Sequence, residues 1–230
     1  MTALTLLDLL PAAARVVGGN VFWDGQQLLG NGKSQLSKLR GRHIAMIFQN
    51  AVSALNPVFR IGAQISDIIR THLPMSRKAA RQKALALFEQ VGLNRPAQIF
   101  AAYPHQLSGG MSQRVMIAIA LSCHAELIIA DEPTTALDKT TQVQILRLLK
   151  RLQQEQRFGL MLISHDIGWV SAMADTVAVM KSGAFVEQGP AARILQNPAH
   201  SYTKMLLESV VSLPESGSKK KLLVGQGSDA

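Results

Sequence analysis

The sequence predicts an α/β fold built on a parallel sheet with an inserted helical lobe, and three observations carry that prediction. Strand Leu127 to Ala130, helix Thr140 to Gln156 and strand Leu160 to Ser164 follow one another in βαβ order, which calls for parallel strands joined by right-handed crossovers. From Ile61 to Val91 the pattern is helical and basic, with Leu85, Leu87, Phe88 and Val91 marking a stripe to be buried and Gly92 closing it. Finally, Leu127 to Ala130 runs into adjacent carboxylates, Asp131 and Glu132, at the end where a parallel sheet gathers its ligands.

The remaining elements follow in chain order. Leu4, Leu6, Leu7, Leu9 and Leu10 form an apolar segment of helical period that ends at Pro11. Asn20 to Leu28 reads as short strand and turn around Asp24-Gly25, and His43 to Phe48 as a buried strand. Ser108-Gly109-Gly110 turns into a helix that runs through Ser122. Val177 to Met180 and Ala184 to Gln188 make a hairpin around Ser182-Gly183, followed by two helices. One domain is expected over residues 1–212, with a helical subdomain over about residues 58–125 and a polar tail over 213–230.

Composition narrows the function classes. At 230 residues and 47% hydrophobic the chain supports a sizeable core and is not compositionally disordered. The longest apolar run, Val115 to Ala130, is interrupted by His124 and Glu126, so no membrane span is expected. There is no secretory signal pattern, and the single cysteine, Cys123, excludes an internal disulfide; a cytoplasmic location is expected. The net charge of +9 is scattered, apart from Lys219-Lys220-Lys221 in the Ser/Gly-rich tail, which reads as solvated rather than as a nucleic-acid or lipid contact.

Phosphate chemistry explains several polar residues at once. Asp131, at a strand end, has the hard oxygen donors that Mg2+ prefers, and Glu132 is placed to orient and polarise an attacking water. Ser108, Gly109 and Gly110 put a hydroxyl and backbone N–H groups at a helix amino terminus, a ready anion site, although an ordinary cap accounts for Ser108 alone. Gln49 and His165 each directly follow a strand and so face the same crevice.

In order, Gln49, Leu107 to Met111, Leu127 to Glu132, Ala136-Leu137-Asp138 and His165 resemble the Q-loop, signature, Walker B, D-loop and switch histidine of ABC transporter ATPases. The resemblance runs from Thr2 to about Leu207, with Met111 in place of the commoner glutamine. Ile47-Phe48-Gln49 with Leu55-Asn56-Pro57, and Asn197 to Thr203, are similar to the peptide and nickel importer subfamily; the lack of a cysteine-rich segment leans to nickel. The resemblance implies a P-loop NTPase-like sheet, ATP and Mg2+ as ligands, and a second ATPase subunit paired head to tail. It also implies two membrane permease subunits, a substrate-binding protein, and peripheral attachment to the cytoplasmic face of the inner membrane. Nucleic acid is not expected. By the same resemblance Glu132 and His165 act in catalysis with Gln49, Asp131 and Gln49 meet Mg2+, and Ser108, Gly109, Gly110 and Met111 contact the partner's nucleotide. Asp138 communicates between the two sites.

One part of that site is absent from the sequence. No Gly-x-x-x-x-Gly-Lys-Ser/Thr occurs in the 230 residues. Gly32-Lys33-Ser34 mimics its end, but Gln27 stands where the first glycine is required, and Gly30 to Ser34 is expected to be a surface turn. Thr2 to Leu10 resembles the helix that follows the family's phosphate loop, so the chain is expected to start just past it, through a misplaced start, clipping or truncation. Hydrogen bonds to charged groups contribute roughly 1.5 to 3 kcal/mol each, and losing four or five removes about 8 kcal/mol, an entire micromolar affinity. These 230 residues alone are therefore expected not to bind ATP usefully. The alternatives are a non-catalytic partner subunit or interaction module, a nucleic-acid-linked ABC protein, and a nonfunctional remnant.

Overall fold

The computed structural model describes residues 1–28 and 33–211, leaving the side chains of 33–35 and 209–211 aside. The predicted tail and Lys219-Lys220-Lys221 lie outside the described residues. Two compact units form, divided after His165.

The first unit is organised by a three-stranded parallel sheet of β3 (Ile44–Ile47), β4 (Leu127–Asp131) and β5 (Gly159–Ile163), in that spatial order. Ile47 lies opposite Ala130, and Asp131 opposite Ile163, so the three strands end nearly level. In β4, Ile128, Ile129 and Ala130 are at most 1% exposed; a strand buried on both faces reads as a continuous apolar run, as this one does.

Ahead of the sheet, α1 (Thr2–Leu6) is shorter than the predicted Leu4 to Leu10 helix. Asp8 takes a left-handed φ of 49°, and Arg40 donates to the carbonyls of Leu7 (2.8 Å) and Asp8 (3.1 Å). Those carbonyls are thus satisfied from across the fold rather than by another helical turn. Ala3 and Leu7 are buried with Leu28, Leu36, Ile44 and Ile129. The strands β1 (Phe22–Trp23) and β2 (Gln26–Gln27) form a hairpin around the turn expected at Asp24-Gly25, where both turn residues have positive φ (45° and 74°), the backbone of a tight two-residue turn.

The expected surface turn at Gly30 to Ser34 falls partly on residues outside those described, Gly30 to Gly32. Lys33 and Ser34 already belong to α2 (Lys33–Leu39), a correction that follows from the apolar spacing of Leu36 and Leu39, half of which is buried with α1.

Between β3 and β4 run α3 (Ala51–Ala54), α4 (Ile61–His72), α5 (Arg77–Gln90), α6 (Pro96–Ala101), a 3-10 turn at Pro104–Gln106 and α7 (Gly109–Leu121). Asn50 caps α3 by accepting from Val52 and Ser53, and Ser76 caps α5 by accepting from Ala79. Gly92, with φ of 75°, follows α5 as foreseen. α7 is buried nearly all round, from Ser112 to Leu121, because it packs on β3 on one side and on α3, α4 and α5 on the other. It ties the helical segment to the sheet. α8 (Lys139–Gln156) buries Ile145, Leu146, Leu149 and Leu152 along one face.

The second unit contains α9 (Ile167–Met173), the antiparallel hairpin β6 (Thr176–Lys181) and β7 (Ala184–Pro190), then α10 (Ala191–Gln196) and α11 (Ser201–Val211). Its turn, Ser182-Gly183, repeats the positive-φ pair of the first hairpin (50° and 82°). Val177, Val179, Ala191 and Ile194 form its core. Glu187 in β7 accepts from the backbone of Ala199 (2.8 Å) and His200 (3.1 Å), fixing the loop before α11. These bonds, Ala199's foremost, hold its carboxyl at a pKa of about 2.

Candidate functional site

The three strands each deliver one polar residue just beyond their carboxyl ends: Gln49 after β3, Glu132 after β4 and His165 after β5. Because the strands are adjacent and end level, the side chains meet. Gln49 Nε2 donates to Glu132 Oε2 at 3.2 Å, and His165 Nδ1 lies 3.2 Å from Glu132 Oε1. Separations of 83 and 33 residues in sequence are closed by sheet topology alone.

Glu132 is the hub of this group. Its backbone takes a positive φ of 46°, an uncommon and strained conformation for a non-glycine residue, and its N–H donates to the Ile163 carbonyl at 2.9 Å. That twist turns the chain at Pro133 and brings Thr135 back, so that Thr135 Oγ1 donates to Glu132 Oε2 at 2.6 Å. The Thr135 hydroxyl, followed by His165 and Gln49, holds the Glu132 carboxyl below the usual carboxylate range against a burial penalty. Glu132 is therefore an ionised, acceptor-only group, with its side chain 26% exposed and that of His165 72% exposed to the crevice. The sequence pointed to Glu132, His165 and Gln49 but missed Thr135. The only available signal was its spacing of three residues from Glu132, within Thr134-Thr135-Ala136-Leu137-Asp138.

Asp131 ends β4 beside Ile163 of β5. With the Gln49 amide nitrogen committed to Glu132, Asp131 and the Gln49 amide oxygen present oxygen donors at the ends of neighbouring strands. Such donors fit Mg2+, which takes few protein oxygens and completes its shell with water and phosphate.

The signature residues form a second group. Ser108 is the amino-terminal cap of α7, accepting from Met111 N at 3.3 Å, so the ordinary-cap reading is realised. A hydroxyl that accepts in this way still has its proton to donate outward. Gly109 and Gly110 lie in the first turn of α7 rather than in a preceding turn. A Cβ on Gly109 would come within 3.3 Å of Leu137 Cδ2, and one on Gly110 within 2.8 Å of Thr141 Cγ2. The glycines therefore let the amino terminus of α7 sit against the start of α8. Asp138 caps α8, accepting from Thr141 N (2.9 Å) and Thr141 Oγ1 (2.7 Å), and these bonds lower its pKa, the backbone one most. Between the groups, Gln142 Nε2 donates to the carbonyls of Thr134 (3.0 Å) and Leu137 (3.1 Å), shaping the segment that joins Glu132 to Asp138.

The chain as a whole is similar to known proteins. The ABC transporter model matches residues 4–135, and the model for the oligopeptide/dipeptide transporter C-terminal region matches residues 186–229. The chain belongs to the ABC transporter family. It is 45% identical over 97% of its length to the probable D,D-dipeptide transport ATP-binding protein DdpD of Escherichia coli, covering 67% of that protein. It is 44% identical over 91% of its length to the oligopeptide transport ATP-binding protein AppD of Bacillus subtilis, covering 64% of it. The chain thus spans about two thirds of the length of such relatives. Among solved structures, the dimeric post-hydrolysis state of the ATP-binding cassette MJ0796 bound to ADP and Pi is similar with a TM-score of 0.70, at 28% identity, over 81% of this chain and 79% of that one. The fold is that of an ABC ATPase. No helix among the described residues is long and apolar enough to cross a membrane.

Proposed function

We propose that this chain is the ATP-binding subunit of an importer of peptides, attached peripherally to the cytoplasmic face of the inner membrane through two permease subunits served by a substrate-binding protein. The observation that carries its chemistry is the Gln49–Glu132–His165 trio, one residue from the end of each of three neighbouring strands. Phosphoryl transfer to water is mostly a matter of positioning and charge. Glu132, held ionised, accepts a hydrogen bond from the attacking water and aims it. His165, anchored through Nδ1, leaves its other ring nitrogen to meet the γ-phosphate. Asp131 and Gln49 are the oxygen donors for Mg2+, which when bound offsets the negative charge of the phosphates. Ser108, Gly109, Gly110 and Met111 serve the nucleotide held by a second ATPase subunit, and Asp138 links the two sites.

Peptides are the substrate class because both named relatives are described by peptide substrates and the match over 186–229 is to an oligopeptide/dipeptide region. Nickel, toward which the lack of a cysteine-rich segment leans, draws no support from these relatives. Since the 230 residues contain no phosphate-loop motif, we expect these residues alone to bind ATP more weakly than micromolar. Calorimetric titration with ATP–Mg2+ tests this, and a micromolar isotherm would refute it. With a phosphate loop joined ahead of Thr2, Glu132→Gln should keep ATP binding while hydrolysis falls by about two orders of magnitude or more. Undiminished turnover would remove Glu132 from its role.

A further inference from the structure

Where α5, α7 and α8 end, they enclose a cavity of about 400 Å³, within the size range of small-molecule sites. Its floor is apolar and buried: Leu87 from α5, Leu121 from the last turn of α7, and Phe158 just after α8. Gln90, His124 and Gln156 make its polar edge. The walls are fixed by the backbone. Arg157 closes α8 with a left-handed φ of 56°, which lets Phe158 fold back to be buried, and Gln153 Nε2 donates to the Phe158 carbonyl at 3.4 Å. Across the seam Arg151 Nη2 donates to the carbonyl of Gln90 at 3.0 Å, tying the end of α5 to α8. Leu121 and Ser108 stand at opposite ends of α7, about 20 Å apart, so the cavity is separate from the Ser108 to Gly110 group.

The charge at its edge is unbalanced. Lys83, half-buried on α5, donates from Nζ to His124 Nε2 at 2.7 Å, and no carboxylate among the described residues pairs with it. An ammonium has only donors, so Nε2 accepts and the remaining ring hydrogen sits on Nδ1. Burial first, and Lys83 second, lower the His124 pKa, which keeps the ring neutral and leaves the lysine's charge uncompensated. At the seam Glu155 is taken up by Arg151 (3.6 Å). His124 also holds a left-handed φ of 58°, a backbone that glycine or asparagine takes at less cost. Strain of this kind at the edge of a cavity points to a bound group.

We propose that this cavity binds a small carboxylate with an apolar tail, the carboxylate resting at the Lys83–His124 pair and the tail on Leu87, Leu121 and Phe158. The assignment stands on the cavity alone and goes beyond the transport reading above. Charge complementarity selects the head: a cation would meet Lys83 and Arg151, and a neutral head would leave the ammonium without a counter-ion. The floor selects the tail, since each methylene buried on such a surface adds about fourfold in affinity. Two sources share this chemistry, the carboxyl end of a short apolar peptide and a short alkanoic acid. The side-chain amides of Gln90 and Gln156 have no protein partner among the described residues; each offers a donor and an acceptor that a peptide group can use and an alkyl chain cannot.

The test titrates the chain by calorimetry at low salt with hexanoate and with N-acetyl-leucine, a mimic of a peptide's carboxyl end, each beside its neutral amide twin, and with acetate. The tighter of the two acids should bind at least tenfold better than its amide and than acetate. Lys83→Gln should erase the preference for acid over amide. His124→Asn, which suits the left-handed backbone but loses the imidazole that orients Lys83, should reduce it. Gln156→Trp, at an exposed position, should fill the cavity and abolish binding while the unfolding midpoint stays unchanged. No binding of either acid, equal binding of acid and amide, a preference that survives Lys83→Gln, or binding untouched by Gln156→Trp overturns the proposal. So does an affinity no better than that of acetate, which marks an anion on a surface lysine with no place for a tail. N-acetyl-leucine ahead of hexanoate identifies a peptide end as the source, and hexanoate ahead identifies an alkanoic acid; both keep the carboxylate site.

Discussion

Glu132 is gripped from three directions, and the hydroxyl of Thr135 does most to set its charge. Removing that donor in Thr135→Val should raise the Glu132 pKa toward 4.5, the ordinary value from which it is lowered; a carboxyl-carbon NMR titration reads the midpoint directly, and an unmoved midpoint would show that Thr135 is a bystander. Glu187 offers the complementary case in the second unit. Its folded pKa of about 2 lies below the ordinary 4.5, so the stability it contributes is complete above pH 4.5 and is lost as pH falls from 4.5 toward 2. Glu187→Gln should therefore lower the urea midpoint of the second unit's signal at pH 7 and leave a smaller gap at pH 3. A gap of the same size at both pH values would assign the effect to shape rather than charge.

At the level of elements, α4 and α6 meet through Gly62, which is fully surrounded by the Phe100 ring on that side. Gly62 is the second residue of α4, where alanine gains less than the about 1 kcal/mol it has over glycine in a helix interior, while a methyl group forced into a packed ring costs about 1–3 kcal/mol. The second effect wins. Gly62→Ala is predicted to destabilise by about 1 kcal/mol in denaturant unfolding, and a stabilised variant would mean that Phe100 moves freely. Such contacts also mark what a sequence discloses and what it withholds. The turn at Asp24-Gly25, the hairpin at Ser182-Gly183, the buried strand Leu127 to Ala130 and the helix after Ser108 were legible because turn chemistry and periodicity are local. The early stop of α1 was not, since it depends on Arg40 reaching Leu7 and Asp8 from 33 and 32 residues away. Thr135 was equally silent, because its bond to Glu132 exists only once Glu132 adopts its positive φ. The site trio was legible as a list of strand-end residues, whereas its hydrogen bonds needed the strand order β3-β4-β5.

On the scale of the molecule, the Ser108–Gly110 group and the Gln49–Glu132–His165 trio lie in one unit, and under the proposed function they would serve different nucleotides in a head-to-tail pair. Paired with a complete homologous subunit, the 230 residues should lend Ser108, Gly109 and Gly110 to the partner's ATP and leave one competent site per pair. Ser108→Arg in that pair should abolish most ATPase activity while the pair still forms, and an indifferent rate would reject the lent signature. The close approach of Gly110 to Thr141 has a genetic counterpart. A methyl at position 110 would collide with Thr141 Cγ2, the same residue whose hydroxyl holds Asp138. Serine at 141 keeps the hydroxyl and deletes the colliding carbon. Gly110→Ala and Thr141→Ser should then be an epistatic pair, in which the first is harmful alone and tolerated in the company of the second. Selection on the signature is in this way bound to selection on α8, and a suppressor screen begun at Gly110 should return position 141 before any residue that touches ATP.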